Sequence, residues 1–256
     1  MSKRTISDII KQWRKPIKSL HERPKPSQLL QIVEDSPSSL EAKLAVHAHA
    51  KILASPLRLC TFHFRQFPNE LMIRFEKGWH QPTKLFWAFP TFKKSGGKGV
   101  YVNLSRKVLE IFGKGSYRAA FRGSATYRND MQNHVESLLH KESFAQFAKR
   151  PSNTFHILTA KSASQWKANS TSPMGYQCIL SFSTSETLCE LDHQIESLDG
   201  THPHVPCYHI QRIWDKRDIE SIHLPEDDTV VALGVPRKLD TVDLAIALWR
   251  CRKFAS

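Results

Sequence analysis

The chain has 256 residues, 40% of them hydrophobic and 24% charged, with 37 Lys or Arg against 24 Asp or Glu and a formal net charge of +13. This balance excludes a disordered chain, allows one sizeable core or two modest ones, and points to a polyanionic partner. No run of about 18 apolar residues occurs, and residues 1–20 are basic and amphipathic without the continuous apolar stretch of a secretory leader, so no membrane span is expected and the expected location is the cytoplasm.

The charge is unevenly placed. Residues 1–177 hold 29 basic and 11 acidic side chains, whereas 178–256 hold 8 and 13. Three parts are therefore expected: a basic helical region over 1–54, a basic α+β core with a nucleic-acid face over 55–177, and a smaller acidic α/β part over 178–256. The fold class is α+β, with amino-terminal helices and a central antiparallel meander carrying packed helices. Five cysteines at irregular spacing, with no CxxC, argue for reduced thiols rather than a disulfide framework.

In chain order, Ile6, Ile9, Ile10, Trp13, Ile17 and Leu20 recur at helical spacing, with Pro16 kinking the run. Lys11, Arg14, Lys15 and Lys18 cover the other side, either as a solvated face or as one that lies on phosphates. Helices are expected over 27–35 and 39–54, the second capped by Ser39 with Glu41 in its first turn. Residues 57–64, 71–75 and 84–89 are rich in aromatic and branched side chains and read as the strands of the meander. The turn 95–99 is glycine-rich and cationic but matches no nucleotide-binding fingerprint. A strand follows at 100–103, then a short helix at 105–112 and a long one over 128–150. Residues 162–173 read as an exposed loop between strands at 154–160 and 176–183. The acidic part reads as a helix over 185–197, strands over 205–214 and 229–234, and a closing helix over 240–253 with Asp240 as its cap.

The candidate binding surface lies between Lys93 and Arg128. Lys93, Lys94, Lys98, Arg106, Lys107, Lys114, Arg118, Arg122 and Arg128 stand there against one acid, Glu110. Cations that neutralise phosphates release counterions, the dominant sequence-independent contribution to nucleic-acid affinity. Tyr117 and Tyr127, among the interleaved aromatics, are candidates for stacking on bases. A second aromatic concentration, Trp79, His80, Trp87 and Phe89 between Lys77 and Lys84, suits a stacking platform too, but is expected to pack in the core.

Six His or Cys fall between Cys189 and His209. On a helix, Cys189 and His193 share a face at i and i+4; on a strand, Cys207 and His209 share one at i and i+2. Together the four have the donor set of a tetrahedral structural zinc site, with core cysteines and surface histidines as the plain alternative. His202 and His204 on the intervening loop are possible substitutes.

Catalytic signatures are sparse. His47-Ala48-His49 has the His-apolar-His pattern that supplies metal ligands in rolling-circle initiators and relaxases, but the surrounding periodicity is helical, where i and i+2 diverge. Asp192-His193 resembles the opening of an HNH nuclease core, yet no asparagine follows Asn169. Glu70, Glu76 and Lys77 have the wrong offset for a restriction-type centre. His63, His80 and His156 are open to general acid–base work, which leaves little trace in sequence. The reading that fits best is a nucleic-acid-binding subunit of a larger nucleoprotein assembly, RNA-guided or replication-related on a mobile element, whose acidic carboxy-terminal part meets other protein subunits. A nuclease using the His/Cys cluster and a binder of an acidic protein are the alternatives.

Overall fold

The computed structural model describes residues 26–92, 97–162, 164–170, 172–196, 204–222 and 231–256. Lys11, Arg14, Lys15, Lys18, Lys93, Lys94 and His202 lie outside them. The architecture is α+β, with a closed six-stranded barrel and a separate three-stranded sheet.

Three short helices lead: α1 (Pro26–Asp35), α2 (Leu40–Ala45) and α3 (Ala48–Leu53). Ser39 caps α2 by accepting from the Ala42 amide at 3.1 Å. The single helix expected over 39–54 is broken at Val46 and His47, where His47 adopts the extended backbone of a cap. His47 and His49 consequently do not diverge as successive helical residues would: their rings lie 5.5 Å apart. Strands β1 (Leu57–Leu59) and β2 (Gln66–Pro68) form a small hairpin.

The expected meander is replaced by a sheet of order β4-β3-β5, built from β3 (Met72–His80), β4 (Leu85–Thr91) and β5 (Val100–Asn103). After leaving β4 the chain crosses back to the far edge of β3, so β3 is central. Because β5 is short, it pairs only with Met72–Phe75, and the rest of the β3–β4 hairpin projects beyond it as a two-stranded arm. Helices α4 (Arg106–Ile111), α5 (Tyr117–Ala120) and α6 (Met131–Ala148) follow. Met131, Val135, Leu139 and Phe147 of α6 join Ile73, Phe75, Val102 and Leu109 in the main core, as four-residue steps on one helix face require.

The barrel has the order β10-β8-β11-β6-β7-β9 and comprises β6 (His156–Ser162), β7 (Gln165–Ala168), β8 (Tyr176–Ser181), β9 (Cys189–Glu196), β10 (His204–His209) and β11 (Val231–Pro236). Alternation along the strands separates two apolar sets. Leu158, Trp166, Ile179, Ile195, Val205, Cys207 and Ala232 fill the interior, as a small barrel demands. Cys178, Leu180, Tyr208, Leu233 and Val235 face outward onto the main core, beside Leu244, Leu248, Cys251 and Phe254 of α8 (Val242–Ala255). Gly234 is required here: a Cβ at this position would sit 2.8 Å from the Tyr176 ring. Helix α8 is buried almost all round. Arg250 bonds to the Met72 carbonyl and lies over the Phe92 ring at 4.3 Å, tying α8 to the sheet. A short helix, α7 (Lys216–Glu220), sits between β10 and β11 in sequence.

Three further expectations change. The loop expected at 162–173 contains β7, whose Trp166 is buried. The helix expected over 185–197 is the barrel strand β9, since closing the barrel needs a strand between β7 and β10, and such pairing overrides local propensity. The α8 cap is Thr241 rather than Asp240. The charge boundary at 177/178 falls inside β8, and the barrel takes strands from both sides of it.

Five histidines, His47, His49, His134, His140 and His156, are held below the ordinary imidazole pKa, with burial the largest cause in each. Unfolding releases them to titrate near about 6.5. Below that pH the unfolded chain binds more protons than the native one, so this contribution to stability is present at neutral pH and is lost as pH falls. Urea titrations at about pH 7.5 and about pH 5.5 are expected to show a lower unfolding free energy at the acid end; equal values would rule out this coupling.

Candidate nucleic-acid interface

The cations between Lys93 and Arg128 divide by what they touch. Three meet carboxylates: Arg106 with Glu136 at 2.5 Å, Lys114 with Glu110 at 2.8 Å, and Arg128 with both oxygens of Asp130 at 2.7 Å. These are solvent-facing pairs, weakened by screening and by the entropy of holding two long side chains, so a phosphate competes readily for the cations. Arg118 donates to the Tyr117 hydroxyl at 3.4 Å. Lys98, Lys107 and Arg122 are exposed, with no acidic partner among the described residues.

The aromatics of this segment turn inward. Tyr117 and Tyr127 stack on each other at 5.1 Å, and Tyr127 also packs against Phe75 and Phe112. A Cβ on residue 113 would meet the Tyr127 ring at 2.9 Å, so Gly113 allows that packing. The Tyr127 hydroxyl is buried without a hydrogen-bond partner among the described residues, and burial raises its pKa. Tyr127 thus presents no free ring to a base, and Tyr117 has one face covered.

Exposed rings occur on the β3–β4 arm, where core packing was expected for Trp79. Trp79 is 48% exposed and Phe86 44%. They stand opposite each other in the ladder, edge to face at 5.2 Å, with the Lys77 ammonium 4.8 Å from the Phe86 centroid. Strand alternation places Phe75, Lys77 and Trp79 on one face. That face covers the core at Phe75 and continues into open solvent along the arm.

The basic turn after α5 is fastened to the same arm. Thr126 donates to the Phe86 carbonyl at 2.7 Å and accepts from the Ala88 amide at 2.9 Å. Lys77 donates to Ser124 Oγ at 3.3 Å. Arg122 precedes Ser124 by two residues, in a left-handed conformation at φ 52°, and the Arg118 carbonyl accepts from the Gly123 amide at 2.7 Å, so both arginines belong to this fastened turn. On the opposite face, Thr83 receives the Trp87 indole hydrogen at 2.8 Å and lies 2.9 Å from His80 Nδ1, which stiffens the tip.

The His/Cys constellation folds differently from the zinc arrangement. Pro206 lacks an N–H for the ladder, and opposite it β9 carries an extra residue, so Val205 faces His193 while Cys207 faces Glu190. This bulge turns Glu190 and His193 toward the same barrel interior. Cys189, paired with Tyr208, packs on the outer face against the main core, away from His193, Cys207 and His209. Glu190 takes its place: Oε2 lies 2.8 Å from His193 Nε2, and Oε1 lies 3.2 Å from His209 Nε2.

Trp166 Nε1 donates to His193 Nδ1 at 2.9 Å. An indole N–H only donates, so the imidazole hydrogen resides on Nε2, pointed at Glu190, and neither ring nitrogen is free for a metal in this arrangement. The His193 hydrogen bond, with help from Thr187 and His209, holds the Glu190 carboxyl below the usual range. Burial pushes the Cys207 thiol up to about 12, the opposite of an activated thiolate. All five cysteines are free. Among the described residues, no three His, Cys, Asp or Glu side chains are grouped to hold a metal ion. Sequence reasoning missed Glu190; the available signal was a proline inside an expected strand, which implies a bulge.

Glu190→Ala is expected to lower stability by roughly 2 kcal/mol, since the donors of two buried imidazoles lose their acceptor. Chemical denaturation measures it.

No protein-family model matches the chain, and neither a curated protein sequence nor a solved structure resembles it. No helix among the described residues is long and apolar enough to cross a membrane.

Proposed function

We propose that the protein is a nucleic-acid-binding subunit of a larger nucleoprotein assembly and that it grips a single strand along the β3–β4 arm. The observation that carries this reading is the exposed Lys77–Phe86–Trp79 face, to which the turn following Arg118 and Arg122 is tied through Ser124 and Thr126. Aromatic rings beside cations suit an unpaired strand, because every base has a face to stack while the cations track the phosphates. A duplex hides its base faces and would use only the cations. Lys98, Lys107 and Lys114 are exposed and add positive charge within the same segment of the chain, and Lys93 and Lys94 adjoin Lys98 in sequence.

The acidic carboxy-terminal part supplies the surface for protein subunits, in an assembly where base pairing or another chain reads sequence. The nuclease alternative is the weaker reading, because both His193 ring nitrogens are engaged, one by Trp166 and one by Glu190, and Glu190 is shared with His209.

Fluorescence anisotropy with matched single- and double-stranded oligonucleotides, at about 50 and about 200 mM salt, tests the reading. Tighter binding of the single strand, weakening steeply with salt, is expected. Equal affinity for both forms removes the stacking role, and no binding at the lower salt removes the function.

A further inference from the structure

A cleft of about 600 Å³ lies between the turn joining β1 to β2, the start of α4 and the end of α8. Its polar rim is formed by His63, Arg65, Asn103, Ser105 and Lys253, and no acidic side chain lines it. We propose that this cleft binds a phosphate monoester.

The charge count carries the assignment. Arg65 and Lys253 are exposed and have no acidic partner among the described residues. Two fixed cations match a monoester, which carries about −1.5 to −2 at neutral pH, better than a backbone diester with its single charge. Arg65 offers the planar fork suited to two phosphate oxygens, Lys253 a point charge, and Asn103 and Ser105 neutral donors.

His63 is oriented toward the same task. Its Nδ1 lies 3.4 Å from the buried Cys60 thiol, and its ring packs edge-on against Phe62 at 4.9 Å and Phe67 at 5.9 Å. A thiol donating to Nδ1 leaves the ring hydrogen on Nε2, available to an anion. The turn is tightly built: the Cys60 amide donates to the Arg65 carbonyl and the Phe64 amide to the Cys60 carbonyl, both at 2.8 Å. Phe64 holds a left-handed φ of 56°, a cost that a bulky residue bears only where the surroundings impose it. Phe67 and Val108 give the cleft an apolar wall against which a sugar or base can rest.

Asn103 pairs with Met72 at the start of β3, whereas the arm tip is at His80, so the cleft lies about 20–25 Å from the aromatic face. It is a second site. A free mononucleotide and the phosphorylated end of a strand present the same group, and separate measurements distinguish them.

Calorimetric titration with adenosine monophosphate, inorganic phosphate and adenosine is the direct test. Saturable binding of the two phosphates and not of adenosine is expected, weakened at least about tenfold in Arg65→Gln/Lys253→Gln. The double variant should keep its melting temperature and its affinity for an unphosphorylated oligonucleotide; should it fail to fold, Lys253→Gln alone gives the same reading. Anisotropy with oligonucleotides differing only in a terminal phosphate identifies the source, a preference of about tenfold marking the strand end. Absence of saturation by either phosphate up to about 10 mM, or affinity unchanged in the variants, overturns the proposal. Failure of the chain to bind any oligonucleotide would remove the arm's role and leave the titration with adenosine monophosphate intact.

Discussion

Changing Lys114, Arg118 and Arg122 together to glutamate is expected to weaken single-strand binding by at least about 100-fold and to reduce the slope of log affinity against log salt by roughly 2. Each phosphate contact on a single strand contributes about 0.7 to that slope, and three contacts are removed. The fold should survive. All three side chains are exposed, and among the described residues the one carboxylate involved is that of Glu110, in a screened surface i,i+4 pair with Lys114. A salt series by anisotropy reads affinity and slope together, with circular dichroism to verify folding. An unaltered slope would place these residues away from the strand.

Replacing Trp79 and Phe86 by alanine should have a different signature. Stacking contributes about 1–3 kcal/mol per base, so losing two rings predicts a loss of about 30-fold or more. Neither ring carries charge, so the salt slope should not move. Stability should change little, since both rings are close to half exposed and pack edge to face on each other. The same salt series therefore separates the two groups: cations alter slope and affinity, rings alter affinity alone. If the alanine pair binds as the parent does while the glutamate triple does not, the chain holds backbone without stacking.

Where local periodicity and caps agreed, elements were legible from residues alone. Helix α6 is specified by Met131, Val135, Leu139 and Phe147 at four-residue steps, and α8 by an apolar run with Asp243 near its start and basic residues near its end. The basic segment was equally visible, because a charge imbalance needs no fold to be counted. Its aromatics were not, since Tyr117, Tyr127, Trp79 and Phe86 have the same composition whether buried or exposed. The length of β5 decides between them: it stops pairing at Phe75 and leaves the arm uncovered.

The four residues expected to share one site are separated for a similar reason. Cys189 and His193 share a face on a helix, and they would also share one on a regular strand, but the bulge opposite Pro206 separates them and brings Glu190 inward. Sequence by itself determined the charge distribution, the mixed composition of helix and strand, and the two long helices, all of which depend on neighbours a few residues apart. Only the tertiary structure decided which strand closes the barrel, which aromatics meet solvent, and which residues gather at the arm and at the cleft between the β1–β2 turn, α4 and α8. Those outcomes depend on pairing between segments far apart in the chain, whose free energy no local pattern records.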